Sequence, residues 1–242
     1  MYRTALAAEA AENIGDTSAS RVLRRRFGKA LITDVRIAKA DSRRIGKAEG
    51  RYITIEGEPH EHAVQMLLQK AIEQLLPRQG LILVAGLGNP DITHDSLGPG
   101  VVRLVRCGGE HRRFAAMETD VAANTGIETA KMVRAVAREI KADCILAIDA
   151  LACREPRRIG KTVQVSDAGI QPGSGVLDNM TALTKDLTGL PVIALGVPMV
   201  SVLSGVTGEH GHKGYLVSPV DEDVLTAHWA EMIAEAINSL IC

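Results

Sequence analysis

The chain carries no excess charge of either sign, no long apolar run and no paired cysteines. Lys+Arg 28 against Asp+Glu 29 leaves a formal net charge of −1, so there is no overall basic field to hold nucleic acid, and no direct nucleic-acid partner is expected. No opening segment joins a charged start to a long apolar core, and the longest apolar runs, around Leu81 and Val192, are too short to cross a bilayer. These absences predict a soluble, cytoplasmic protein with no membrane partner. Four cysteines (Cys107, Cys144, Cys153, Cys242) lack any CxxC spacing, which signals neither a zinc site nor a disulfide framework. Cys144 sits inside an apolar run and reads as a small core residue. His210 and His212, one glycine apart in the loop Thr207–Gly214, have no third ligand nearby and read as solvated loop residues. No metal and no cofactor are expected.

Composition is that of a globular protein: 46% hydrophobic and 24% charged residues in 242, enough for one sizeable core. A single domain over 1–242 is expected, with 1–45 as an appendage packed on it or extending from it. Within that appendage Ala5–Glu12 is rich in helix formers, Gly15-Asp-Thr-Ser breaks the pattern, and the basic run Arg21–Arg26 reads as a solvated helix face or an interface. Strands are predicted at Ile32–Ile37, Tyr52–Ile55, Leu81–Ala85, Cys144–Ala152, Thr162–Val165 and Val192–Leu195. Helices are predicted over Pro59–Leu76, through Val101–Val105, over Ile127–Ile140 and over Asp221–Leu240. This alternation predicts an α/β fold, three layers with a twisted, mainly parallel sheet between helices, of the phosphorylase/hydrolase-like kind.

The most informative stretch is Leu81 to Pro99, LILVAGLGNPDITHDSLGP, where an apolar run empties into a glycine-rich turn that presents Asp95. The run Cys144-Ile-Leu-Ala-Ile-Asp149 does the same with Asp149. Continuous aliphatic runs mark parallel strands buried on both faces, so both acids are expected at carboxyl ends of strands, the edge where open α/β sheets bind ligands. The plainer reading of each acid is a helix N-cap. Gly86-Leu-Gly88-Asn89-Pro90 allows positive φ and close backbone approach, but lacks the third glycine of a dinucleotide fingerprint. GLGNP also resembles the opening of bacterial peptidyl-tRNA hydrolases, without the Tyr and Arg-His-Asn that follow there.

A longer resemblance runs through most of the chain. Tyr2-Arg-Thr-Ala-Leu-Ala-Ala-Glu9, Gly86-Leu-Gly-Asn with Asp95-Ser-Leu-Gly-Pro99, Thr125-Gly-Ile-Glu-Thr129 and Ala147-Ile-Asp149-Ala-Leu-Ala152 appear in order. Gln164-Val-Ser-Asp-Ala-Gly-Ile170, Pro172-Gly-Ser-Gly-Val176 and Pro191-Val-Ile-Ala-Leu-Gly-Val-Pro198 complete it. Together these blocks resemble the spore germination protease family, endopeptidases that degrade small acid-soluble spore proteins. The resemblance implies a location in the forespore or spore core, a homo-oligomer (a tetramer in that family), a zymogen with a short propeptide, a fold shared with hydrogenase maturation proteases, and a catalytic pair formed by Asp95 and Asp149. Three departures stand out. Ala5 replaces the Asp usual at the propeptide boundary, Gln171 replaces a common His, and the chain crosses from Val206 to Tyr215 without the family's long segment, as a short version of the protease.

Two close carboxylates suit peptide hydrolysis because they share one proton: the ionised member activates water and the protonated member donates to the leaving group. Oxyanion or substrate contacts are expected from the backbone at Gly88 and Asn89 and from the turn Gly173, Ser174 and Gly175. His94 either tunes Asp95 or is an exposed loop residue. Cys153, four residues after Asp149, would share its face on a helix, but no Cys/His signature surrounds it, and since the resembling family usually has Ala at this position it reads as packing. The alternatives left open are a maturation-type protease clipping one precursor, possibly with a metal at the same acids, and a catalytically silent assembly protein of sporulation.

Overall fold

The computed structural model of the chain describes residues 4–12, 20–171, 181–202 and 215–241. A short helix α1 (Ala7–Ala11) precedes the hairpin of β1 (Arg21–Phe27) and β2 (Ala30–Ile37), and a single turn α2 (Ser42–Ile45) leads to β3 (Gly50–Glu56). Then come α3 (His62–Leu75), β4 (Gly80–Gly86), α4 (Leu97–Leu104), β5 (Arg112–Glu118), α5 (Ala122–Thr125), α6 (Thr129–Glu139) and β6 (Cys144–Cys153). The chain continues through β7 (Thr162–Ser166), α7 (Lys185–Thr188), β8 (Val192–Val202), β9 (Leu216–Val217) and α8 (Glu222–Asn238). Among the described residues no helix is long and apolar enough to cross a membrane.

All nine strands join one sheet in the order β1-β2-β3-β7-β8-β6-β4-β5, with β9 beside β8. The layered α/β architecture is the expected one. Parallel pairing, however, is confined to β8-β6-β4-β5, and the β1-β2-β3-β7 half is antiparallel and joins β8 antiparallel. The buried aliphatic runs that suggested a parallel sheet are those of β4, β6 and β8, whereas β1 and β2 are joined by a two-residue turn, too short for a parallel crossover, and β3 pairs with β2 antiparallel.

Alternation along β6 sorts the two faces. Cys144, Leu146 and Ile148 join the core under α3, α4 and α8, where Val64, Leu68, Ala71 and Ile72 form the apolar stripe of α3 and Trp229 is fully buried. The Trp229 Nε1–H donates to the Gly160 carbonyl at 2.7 Å, which satisfies its one polar group. Ile145, Ala147 and Leu151 join the opposite core with Ala130, Val133 and Ala137 of α6 and with Leu6.

The basic run at Arg21–Arg26, read from sequence as a helix face or interface, is an exposed edge strand. Its hairpin closes through Gly28 and Lys29, with Phe27 opposite Ala30 and Gly28 at φ +61°, the glycine position that a two-residue hairpin turn demands. Strand β5 escapes sequence reading because Arg112 and Arg113 open it and Phe114 is its sole large apolar side chain before Met117.

Segment 4–12 is bound to the core by polar contacts as well as by Leu6. The Ala5 N–H donates to the Ala152 carbonyl at 2.9 Å and the Ala7 N–H to Gln164 Oε1 at 2.7 Å. The Glu9 side chain, 0% exposed, accepts the Arg154 and Glu155 N–H groups at 2.8 and 3.0 Å. Beside it Arg158, 4% exposed, meets Glu9 at 3.7 Å, Glu12 at 2.5 Å and Glu56 at 3.4 Å.

Candidate active site

Strand β4 sends its following helix, α4, to one face of the sheet on the way to β5, and β5 returns through α6 on the other face to β6, on the far side of β4. The carboxyl ends of β4 and β6 therefore flank a topological switch point, where diverging connections leave a crevice. Asp95 lies in the 3-10 turn that follows β4, and Asp149 lies in β6.

Glycines build the approach to Asp95. The Leu87 N–H donates to the Ile148 carbonyl at 2.8 Å, extending the β4–β6 pairing by one residue. Gly88 then takes φ +113°, and a Cβ there would drive into the Asp95 carbonyl. Gly98 packs against the backbone of both Leu87 and Ile148, so that a Cβ would collide with each. The close approach read from the glycine turn is thus an approach of backbone to backbone, and it holds the Asp95 turn against the residue that precedes Asp149. The Asn89 N–H donates to Asp95 Oδ2 at 2.8 Å, and Asn89 Oδ1 accepts the Asp91 N–H at 2.9 Å. Asn89 is therefore a positioning group for Asp95 as well as a turn residue.

Asp149 is 2% exposed. It stands inside β6 rather than at its end, paired with Gly196 of β8, and is the first residue of β6 beyond the last one paired with β4, Ile148 opposite Gly86. The strand-end placement expected from sequence holds for β4; β6 runs four residues further because β8 accompanies it to Cys153. By strand alternation Asp149 lies on the α6 side of the sheet, with Ala147 and Leu151.

Burial raises the pKa of Asp95, against the Asn89 N–H and nearby His94, which favour the carboxylate, and Asp120 adds to the rise. Asp120 was not singled out by the sequence reading. It follows β5 at the same sheet edge, its carboxylate accepts the Val121 N–H at 2.6 Å and the Asn124 amide at 3.1 Å, and its carbonyl accepts the Thr129 hydroxyl at 3.0 Å. The signal that marks the other two acids, a continuous aliphatic run leading to an aspartate, is weak in Phe114-Ala-Ala-Met-Glu-Thr-Asp120. His94 is partly exposed and faces Glu222 at 3.9 Å.

Cys153 ends strand β6 rather than lying on a helix, since the backbone stays extended through it. Its thiol is buried, donates to the Glu155 carbonyl at 3.2 Å, and burial pushes its pKa up to about 12. A thiol held protonated is no nucleophile. Cys153→Ala is expected to leave any hydrolytic rate within about twofold, checked by the initial rate on the same substrate. Cys144 is likewise core, with its pKa pushed up to about 12 by burial. Gly173, Ser174, Gly175 and the loop Thr207–Gly214 lie outside the described residues. Among the described residues no group of three His, Cys, Asp or Glu side chains is arranged to hold a metal ion.

A family model for the germination protease matches residues 5–218. The chain is 36% identical to the germination protease of Caldanaerobacter subterraneus subsp. tengcongensis, over 91% of this chain and 75% of that relative. It is 35% identical to that of Clostridium tetani, over 82% and 70%. Against the germination protease of Bacillus velezensis it is 36% identical over 72% of this chain but 54% of the relative, so it spans about half the length of the Bacillus proteins it matches. A solved [NiFe] hydrogenase maturation protease, HycI from Thermococcus kodakarensis KOD1, aligns with 71% of this chain and 98% of that one at a TM-score of 0.40 and 18% identity.

Proposed function

The chain belongs to the germination protease family, and from that premise we propose that it is an endopeptidase that degrades small acid-soluble spore proteins during germination, with Asp95 and Asp149 as a water-activating pair. The observation that carries this reading is the packing at the β4–β6 switch point, where glycines bring the Asp95 turn against the residue before Asp149.

In this reading the two carboxyls hold one proton between them and titrate as a unit. The ionised member takes a proton from water as its oxygen attacks the scissile carbonyl carbon. The tetrahedral intermediate then collapses with cleavage of the C–N bond, and the protonated member delivers its proton to the leaving nitrogen. The raised pKa of Asp95 supports retention of that shared proton above the ordinary carboxyl range. The Gly88 N–H, which has no acceptor among the described residues, is the backbone donor available for the oxyanion. The Asn89 N–H is engaged by Asp95 and serves to orient it. The same reading places the protein in the spore interior as a homo-oligomer.

Incubation of the purified protein with a small acid-soluble spore protein is expected to yield a few defined fragments by mass spectrometry, at a rate unchanged by EDTA. An intact substrate after prolonged incubation with folded protein would overturn the reading. Loss of cleavage on chelation, restored by a divalent metal, would replace it with metal-assisted hydrolysis at the same acids.

A further inference from the structure

Strand β1 offers a binding edge that the catalytic reading leaves unused. In the two-residue hairpin Phe27 and Ala30 form a hydrogen-bonded pair, and alternation then turns the backbone groups of Leu23 and Arg25 toward β2 and those of Arg24 and Arg26 outward. Among the described residues the outward N–H and C=O groups of Arg24 and Arg26 have no hydrogen-bond partner. Exposed edges of this kind are templates for a further strand.

Chemistry at the edge selects what would pair there. Arg21, Arg24, Arg25 and Arg26 are all exposed, and among the described residues none lies within ion-pair distance of a carboxylate. Of the acids that share cavities with Arg25 and Arg26, Asp34 is held by Arg51 at 2.8 Å, Glu56 by Arg158 at 3.4 Å and Glu58 by Lys161 at 2.7 Å, while Glu61 forms no ion pair among the described residues, with Arg26 or with any other cation. Four uncompensated guanidiniums in seven residues of a chain with net charge −1 form a local acid-seeking surface. Leu23 and Phe27, 53% and 55% exposed, interleave with them. On the α3 side a trough of ≈ 230 Å³ is floored by Leu23, Ile32 and Ile53, walled by Leu67 and rimmed by Arg25 and Lys70.

A second copy of the chain is a poor occupant, because two-fold antiparallel pairing of Arg24–Arg26 with itself sets arginine opposite or beside arginine, and like charges across strands destabilise. A nucleic acid suits the arginines but not the apolar interleaving, the unpaired strand edge or the Asp34 carboxylate in the trough. We propose that the outer edge of β1 at Arg24–Arg26 docks an extended acidic segment of a partner polypeptide as an added strand, its carboxylates toward the arginines and its apolar side chains toward the trough. The site lies five strand spacings from Asp149 in the sheet order, about 24 Å at ~4.8 Å per strand, so it is separate from the crevice and does not rest on the catalytic assignment.

The test is fluorescence anisotropy of the full chain with a labelled 12-residue peptide of alternating Glu and Val. Binding is expected to weaken with salt and to fall at least about tenfold in Arg24→Glu/Arg25→Glu/Arg26→Glu; the corresponding triple Gln variant serves if the Glu variant melts early. Two further peptides, N-methylated on odd or on even residues, probe the backbone. One is expected to lose binding and the other to keep it, because an added strand presents alternate N–H groups to its neighbour. Equal binding by both N-methylated peptides, or unchanged binding by the triple variants, overturns the proposal. So does tighter binding of a labelled 12-nucleotide single strand than of the peptide, or a sedimentation coefficient of the free chain that falls in the triple variants, which would make the edge a nucleic-acid site or a contact between copies.

Discussion

Asp149→Asn and Asp95→Asn are each expected to lower cleavage of a spore-protein substrate about 10²–10⁴-fold, the range for loss of a positioned proton-transfer group. The double variant is expected to be hardly worse than either single one, because groups that act as a unit are not additive. Stability is expected to move the other way for Asp95. Burial raises the pKa of its carboxyl, so the folded state binds that proton more tightly than the unfolded chain does. The cost of burying the ionised form is therefore fully present above the raised folded pKa and vanishes as pH falls below the unfolded value of roughly 4. Asp95→Asn should accordingly melt no lower than wild type at pH 7, with any gain in Tm shrinking to nothing in acid. Thermal denaturation at several pH values, beside initial rates, checks both halves. Full activity in either variant removes that aspartate from the mechanism.

The largest expected effect on stability is at Arg158. Its guanidinium, 4% exposed, neutralises a group of carboxylates that includes the fully buried Glu9. Arg158→Met keeps apolar bulk but strands those charges, and breaking a buried pair from one side costs about 3–5 kcal/mol. For a chain of this size that corresponds to a fall in Tm of about 6–20 °C. Adding Glu9→Gln to Arg158→Met should restore part of the loss, since it removes the buried charge while keeping an acceptor for the Arg154 and Glu155 N–H groups. A fall of less than about 2 °C in the single variant would mean that solvent screens the cluster.

Helices with a strong apolar period were legible: α3 and α6 fall within the predicted Pro59–Leu76 and Ile127–Ile140. Strands β4, β6 and β8 were legible as aliphatic runs, although β8 continues from Leu195 to Val202 because β6 accompanies it beyond the reach of local sequence. Arg21–Phe27 was illegible for a physical reason: an edge strand exposed on both faces has no burial pattern to imprint on its side chains. At the candidate site the two acids were visible because continuous aliphatic runs lead to them, through the glycine turn to Asp95 and directly to Asp149, whereas Asp120 follows a strand whose alanines and arginines carry little signal. The role of Gly98 was invisible as well. Only the packed backbone reveals that its missing Cβ is what lets the Asp95 turn touch β6.

The binding of segment 4–12 also constrains when the fold can close during synthesis. Apart from Lys47, whose Nζ reaches the Ala5 carbonyl, its hydrogen-bond partners outside the segment are Ala152, Arg154, Glu155, Arg158 and Gln164, at sequence separations of 145 to 159 residues. At ribosomal rates of about 5–20 residues per second, roughly 8–30 s elapse between the emergence of residue 5 and that of residue 164. For that interval Leu6 and the Glu9 carboxylate have neither their apolar pocket nor their amide donors, and the β6 edge they will cover is not yet made. Ala7 and Ala11 of α1 can pack early against Val35, Ile37 and Tyr52 of β2 and β3, but the segment is seated in full only as a late, long-range event, once β6 and β7 exist to receive Leu6, the Ala7 N–H and Glu9.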